Sequence, residues 1–173
     1  MKKVSDIHAI KIIFFITACY VGLWAIRIPT IKDQLQTDYV GVGYIMLSFA
    51  IGSIVAMIFA NALILKTSTK SILTCTLIAE GCLWLPVPFI QELWLFMVFS
   101  FVFGMSYGAF EIACNVYASN LEVREKKSMM SGFHAFWSLG VLFGSLITSF
   151  LLEWNYSFIF NILLYVIILL PLS

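Results

Sequence analysis

The sequence predicts an all-α membrane protein with six transmembrane helices in one domain over residues 1–173. Of the 173 residues, 62% are hydrophobic and only 11% are charged, which is far from the composition of a soluble domain. A bilayer core requires roughly 20 apolar residues for each spanning helix. Six apolar segments meet this requirement, at residues 8–29, 41–64, 71–90, 93–119, 130–152 and 154–172. The breaks between them are short and polar, so no stretch remains for a soluble domain or a linker.

Basic residues predict how these segments are oriented, because cytoplasmic loops of membrane proteins are enriched in lysine and arginine. Most of them precede or begin the first segment, or lie in the second-to-third and fourth-to-fifth connections: Lys2, Lys3, Lys11, Lys66, Lys70, Arg124, Lys126 and Lys127. With six spans, this distribution predicts that both termini lie in the cytoplasm.

Tryptophan positions agree with this orientation. Trp24, Trp84, Trp94 and Trp154 fall near the predicted outer ends of the segments, where an amphipathic ring prefers the membrane interface. We therefore expect these four rings to lie at the outer surface of the bilayer, whereas Trp137 does not fit the pattern.

Small residues recur at helical spacing in the second and fifth segments. They are Ser48, Gly52, Ala56 and Ala60 in the second segment, and Gly140 and Gly144 in the fifth. Lipid provides no hydrophobic drive for helix association, so such stripes predict that two helix backbones approach closely.

The fourth segment differs because its stripe changes from small to polar residues. Gly104, Gly108, Glu111 and Asn115 share one helix face. An ionised acid inside the membrane costs about 2.5 to 3.5 kcal/mol, so we expect Glu111 to face the bundle interior, to be protonated or to have a partner. Burial favours the neutral form of a carboxyl group, and a proton-carrying role for Glu111 is our first interpretation. A neutral, structural hydrogen bond between helices is the alternative.

Two polar residues in the third and sixth segments receive structural interpretations. Glu80 lies near the centre of its segment but has no polar neighbour one turn away, so we expect a structural carboxyl group there. Asn161 is alone in the sixth segment, and we expect it to make a hydrogen bond between helices.

Arg27 and His134 each allow two interpretations. Arg27 shares a face with Thr17, Tyr20 and Trp24, so it either faces a central cavity or extends to the outer interface. His134 opens the fifth segment and is either a titratable site residue, with Trp137 and Ser138 on its face, or a structural histidine at the cytoplasmic rim.

Other functional classes have little support in these residues. Net charge of +1 without a basic tail argues against nucleic-acid binding. The chain contains no G-x-S-x-G elbow, no H-E-x-x-H helix and no phosphate loop, so we do not expect an enzyme. The four cysteines form no CxxC pair and have no histidines at ligand spacing, so they are expected to be small buried residues. We expect no metal and no cofactor.

Three motifs resemble the amino-terminal six-helix half of a major facilitator superfamily transporter. "WAIRIPTIKDQL" (24–35) is similar to a W-x-x-R-I-P-x-I pattern of the fucose-permease-like bacterial inner-membrane branch. "GAFEIACN" (108–115) is similar to an acid followed by a methionine-asparagine pair, and "MMSGFHAFWSLGVLFG" (129–144) to the opening of the fifth helix in that branch.

This resemblance implies a fold, a function and a set of site residues. The fold would be a bundle of 3+3 inverted repeats, in which the first, second, fourth and fifth helices line a central solute path and the third and sixth lie at the periphery. The function would be secondary transport of a small polar, sugar-like solute across a bacterial inner membrane, coupled to protons through Glu111. The candidate pathway residues are Glu111, Asn115, Arg27, His134, Trp24 and Tyr20.

The chain departs from the superfamily pattern in two ways. The loop between the second and third helices, "NALILKTSTK" (61–70), keeps two basic residues but has Leu65 where the family has an aspartate. A complete carrier also has two such halves, and this chain ends at "LLPLS". A split carrier with a separate second half, a parallel homodimer, and a truncated, non-transporting remnant all remain open at this stage.

Overall fold

The computed structural model describes residues 2–169, without the side chains of residues 2–5, 60, 61, 63 and 65. Within this range the chain forms six α-helices, one 3-10 turn at Val87–Phe89 and no strand. The helices are α1 (Lys2–Gln34), α2 (Tyr39–Lys66), α3 (Thr69–Trp84), α4 (Leu93–Glu125), α5 (Met130–Glu153) and α6 (Phe158–Leu169). Of these described segments, five are long and apolar enough to cross a membrane, and α6 is a shorter apolar helix. The predicted all-α membrane architecture is confirmed at this level.

Two predicted segments extend beyond the observed helices, whereas α1 and α4 are longer than their predicted segments, 8–29 and 93–119. The third, predicted over 71–90, is helical only to Trp84, because Pro86 and Pro88 follow and a proline ring disfavours continuation of an α-helix. The sixth, predicted over 154–172, begins at Phe158, after a turn in which Asn155 has a left-handed φ of 59°. Its predicted end lies outside the described residues.

Two helix pairs, α2 with α4 and α1 with α5, share the most extensive contacts in the bundle. In the first pair, a Cβ added at Gly52 would meet the backbone carbonyl of Phe101, and one added at Gly104 would meet that of Phe49. These two glycines therefore let the backbones of α2 and α4 touch, as the sequence predicted.

The α1–α5 pair has the same construction. An added Cβ at Gly140 would meet the carbonyl oxygen of Phe15, and one at Gly144 would meet that of Cys19. The two glycines of α5 therefore face α1, and the backbones of the two helices lie as close together as those of α2 and α4.

In a repeat of three helices, α1 corresponds to α4, α2 to α5 and α3 to α6. Under this correspondence the α1–α5 pair matches the α4–α2 pair. The same correspondence relates the extensive α3–α4 contact to the α1–α6 contact, which is much smaller in the described range. The dominant pairing thus has the pattern that a 3+3 repeat requires, and the repeat itself stays a prediction.

Polar contacts join the helix ends at both sides of the bundle. At one end, Arg124 Nη2 of α4 lies 2.9 Å from the Asp6 carboxylate of α1. At the other end, Gln34 Nε2 donates to the carbonyl oxygens of Val87 and Ile90, at 2.9 and 2.6 Å. The first of these ends carries the basic connections, and its assignment to the cytoplasm stays a prediction.

Inside the bundle, one hydrogen bond ties α1 to α6. Arg27 Nε donates to Asn161 Oδ1 at 3.0 Å, and Arg27 Nη2 donates to the carbonyl oxygen of Tyr156 at 3.3 Å. The guanidinium also lies over the Phe158 ring, and the arginine is only 2% exposed. The predicted interhelical role of Asn161 is confirmed. Arg27 is bonded to α6 and to the segment before it, and its place in the solute path stays a prediction.

The close approach of α2 and α4 leads to a first prediction. We expect Gly104→Ala to lower the free energy of unfolding by about 1 to 3 kcal/mol, because the new methyl group would press on rigid backbone. Gly43→Ala is the matched control on α2, since an added Cβ there meets nothing within 4 Å. It should be neutral or stabilising by up to about 1 kcal/mol through helix propensity. Unfolding in mixed detergent micelles, followed by circular dichroism, measures both, and equal effects would contradict close packing at Gly104.

The bond between α1 and α6 leads to a second prediction, tested by a double-mutant cycle of Arg27→Met and Asn161→Leu. We expect a coupling energy of about 0.6 to 2 kcal/mol, the range for polar contacts inside membrane bundles. Asn161→Leu alone should cost more than Arg27→Met alone, because it leaves a permanently charged guanidinium with fewer partners. Arg27→Met combined with Asn115→Leu is the control pair and should be additive. A coupling energy of zero between Arg27→Met and Asn161→Leu would mean that this hydrogen bond contributes nothing to the stability of the folded protein.

Candidate functional site

A cavity of about 390 Å³ lies among α1, α2, α3 and α4. Eight of its fourteen lining residues are aromatic, including Tyr20 and Trp24 of α1, Phe49 of α2, Trp84 of α3, and Phe103 and Tyr107 of α4. The size is within the range of about 300 to 1,000 Å³ that is usual for small-molecule sites. Its walls are almost entirely apolar, so the few polar groups that reach it will determine what it can bind.

Glu80 is the one acidic residue among those that line the cavity. Its side chain is 3% exposed, and among the described residues its Oε2 atom has no hydrogen-bond partner. The Thr17 hydroxyl lies beside the carboxyl group, but Thr17 Oγ1 is itself without a hydrogen bond of normal geometry in this range. Burial of a polar group without a partner is costly, so this carboxyl group is available for a proton or a ligand.

Trp84 follows Glu80 by one turn of α3 and joins α3 to α1 and α4. Its ring stacks on Tyr20 with centroids 6.2 Å apart and meets the Phe103 ring edge-on at 5.6 Å. In the described part of the chain, Trp84 Nε1 and the Tyr20 hydroxyl make no hydrogen bond. This aromatic cluster buries the Trp84 ring to 2% exposure at the end of α3, and its expected position at the outer surface of the bilayer stays a prediction.

Glu80 and Trp84 were missed as site residues because their sequence neighbours are apolar. A usable signal was present, since Leu73, Leu77, Glu80 and Trp84 follow helical spacing and all are buried. An acid inside such a stripe faces the bundle, not the lipid. The expectation that all four cysteines are buried is also wrong, because Cys75 and Cys82 of α3 are exposed.

Of the six candidate pathway residues, Tyr20 and Trp24 line the cavity. Arg27, on the same helix, points to α6 instead and forms the hydrogen bonds described above. The face that the sequence assigned jointly to these three residues therefore divides between two different neighbours.

Glu111 and Asn115 lie further along α4 and are half-buried, outside the cavity wall. Asn115 Nδ2 donates to the backbone carbonyl of Glu111 at 3.0 Å, so the amide is bonded within its own helix. The Glu111 carboxyl group lies near Tyr107, whose ring does line the cavity. The polar part of the stripe thus begins one turn beyond the cavity.

His134 lies at the start of α5 and is exposed. Its ring packs edge-on against Phe14 of α1, with centroids 5.5 Å apart. Ser138 Oγ donates to the His134 backbone carbonyl at 3.1 Å, so the hydroxyl is bonded to the helix and not to the imidazole. His134 does not line the cavity.

Comparison with known proteins identifies the family. The profile of the Major Facilitator Superfamily matches residues 12–173. The chain is 28% identical over 145 residues to an uncharacterized MFS-type transporter of Yersinia pestis, an alignment that covers 82% of this chain and 37% of the relative. It is 25% identical over 141 residues to an uncharacterized transporter of Sinorhizobium fredii, covering 76% of this chain and 35% of the relative.

The chain thus spans a little over a third of the length of these curated relatives. No solved structure matches it. The fucose-permease-like branch stays a prediction, since neither relative has a named substrate. The profile match nevertheless runs over nearly all of the chain, and the chain belongs to the major facilitator superfamily of membrane transporters.

Proposed function

We propose that this chain forms one helical half of a secondary carrier that moves a small polar, sugar-like solute across a bacterial inner membrane by alternating access. The main support is the match to the transporter-family profile over residues 12–173, together with Glu111 and Asn115, which are half-buried in the middle of α4. Ionisable residues inside a membrane bundle tend to mark substrate or ion pathways.

Glu111 is the proposed proton-coupling group. It is half-buried in the middle of α4, on a helix that also contributes Tyr107 to the cavity. The amide of Asn115 bonds to the Glu111 backbone and not to its carboxyl group. A carboxyl group in this position can change protonation as water reaches it from either side, and intramembrane acids tend to mark such pathways.

Proton coupling predicts a specific effect of Glu111→Gln. The protein is reconstituted into vesicles that contain a pH-sensitive dye. Neutral monosaccharides are added outside one at a time, and the acidification of the vesicle interior that each one causes is recorded. The wild-type protein should move protons with one of these solutes, and Glu111→Gln should reduce proton movement about tenfold or more, because an amide cannot carry the proton.

Glu92→Gln is the matched control for this experiment. Glu92 is exposed immediately before α4, so its substitution should leave proton movement unchanged. Coupled proton movement at the wild-type rate in Glu111→Gln would exclude this residue as the coupling group, while leaving transport itself intact.

A carrier of this superfamily also requires a second helical half, because the solute site lies at the midplane between two halves. That half is part of the same polypeptide, a separate chain or a second copy of this chain. A parallel copy is geometrically permitted, since the two halves of these carriers are related by an axis along the membrane normal.

Native mass measurement of the detergent-extracted protein distinguishes these arrangements. We expect a mass that accounts for two six-helix halves, with or without co-expression of a candidate partner, and solute uptake only by that species. A strictly monomeric six-helix chain that binds no partner and transports nothing would overturn the carrier proposal and favour a non-transporting remnant.

A further inference from the structure

We propose that the cavity among α1–α4 is a binding site for an organic monocation with an apolar or aromatic body, with Glu80 as its counter-ion. This site lies within a single six-helix half and does not require the carrier function proposed above. Binding to it is therefore measurable whether or not the chain transports a solute.

The first support is the state of three buried polar groups. Glu80, Trp84 and Tyr20 are each no more than 3% exposed and all line the cavity. Within residues 2–169, Glu80 Oε2, Trp84 Nε1 and the Tyr20 hydroxyl all lack a hydrogen-bond partner. Unpartnered buried groups of this kind are rare in folded proteins, and their convergence on one cavity points to a ligand that contacts them.

The second support is that no described ion pair gives Glu80 a cationic partner from the protein. The described ion pairs involve Lys32 and Arg124, and none of them includes Glu80. Arg27 is the buried cation, and it is held by Asn161 and the Tyr156 carbonyl group. The carboxylate therefore has no counter-ion in the part of the chain that the structure describes, and a bound cation would supply one.

The third support is the composition of the walls. Aromatic faces attract cations, most strongly where water is excluded. Trp84, Trp24 and Tyr20 form one continuous aromatic surface, with Trp84 stacked or tilted against both neighbours at 6.2 Å. A cation next to Glu80 would lie beside this surface, so both attractions act on the same charge.

Other ligand classes fit these walls less well. A sugar carries many hydroxyl groups, each of which requires a partner once it is buried, and the walls offer few. A metal ion requires several ligands, and no group of three His, Cys, Asp or Glu residues among the described residues could hold one. A cation with an apolar body requires one counter-charge and otherwise apolar contact, which matches the cavity.

The test uses the full chain in nanodiscs and radiolabelled benzyltrimethylammonium as the probe. Neopentylbenzene, in which carbon replaces the ammonium nitrogen, is the neutral comparison, and empty nanodiscs correct for partition into lipid. We expect the cation to bind at least about tenfold more tightly than its neutral analogue, equivalent to about 1.4 kcal/mol.

Two variants locate the binding. Glu80→Gln should weaken cation binding about tenfold or more and leave binding of the neutral analogue unchanged. Trp84→Leu should weaken both ligands, because it removes a wall as well as a cation-binding face. Glu153→Gln, at the exposed end of α5, is the matched control and should bind the cation like the wild-type protein.

Thermal unfolding of each variant in detergent verifies that it is folded before binding is compared. Equal affinity for the cation and the neutral analogue would overturn the proposal, since the cavity would then be an apolar pocket only. Wild-type cation affinity in folded Glu80→Gln, or no binding of the cation to the wild-type protein, would overturn it as well.

Discussion

The membrane interior offers no water to polar groups, and each such group must find a partner within the protein. This constraint shapes the bundle beyond its helical backbone. The Tyr165 hydroxyl of α6 reaches the Gly144 carbonyl of α5 at 2.6 Å, and the Arg27 side chain of α1 reaches Asn161 of α6 at 3.0 Å. Polar side chains thus connect α6 to both members of the α1–α5 pair. The Tyr165 hydroxyl also lies 3.0 Å from Thr148 Oγ1 of α5. Lipid can replace apolar contacts with α6 but cannot replace these polar ones.

Apart from Asn161 Nδ2, which also lacks a partner, it is at and beside the cavity that the described residues do not meet this constraint. The cavity's carboxyl, indole and hydroxyl groups are as deeply buried as Arg27 and Asn161, yet in the described residues Glu80 Oε2, Trp84 Nε1 and the Tyr20 hydroxyl lack partners. The Trp84 ring packs against Tyr20 and Phe103, and all three groups border the cavity. Buried polar groups that lack hydrogen bonds at a cavity wall are available to contact a ligand there.

Features that depend on local sequence were predictable, and those that depend on distant partners were not. Segment length indicates the helices, and the spacing of Gly104 marks a close approach, because each property belongs to one helix alone. The burial of Trp84 depends on Tyr20, and the position of Arg27 depends on Asn161, which is 134 residues away. No periodicity within α1 or α3 contains that information. The burial of the Trp84 ring and the bonding of Arg27 to α6 therefore follow from the packing of the whole bundle and not from either helix alone.

The cavity also lies between the two tightly packed parts of the bundle. Backbone contact at the glycines holds α1 to α5 and α2 to α4, whereas contacts between these pairs are few. Tyr20 and Trp24 belong to the first pair, while Glu80 and Trp84 belong to α3, which packs mainly on α4 of the second. A ligand that touches Tyr20 and Glu80 together therefore contacts both parts. Such a ligand favours the relative position in which both contacts exist, because it shifts the equilibrium by its difference in affinity for the two states.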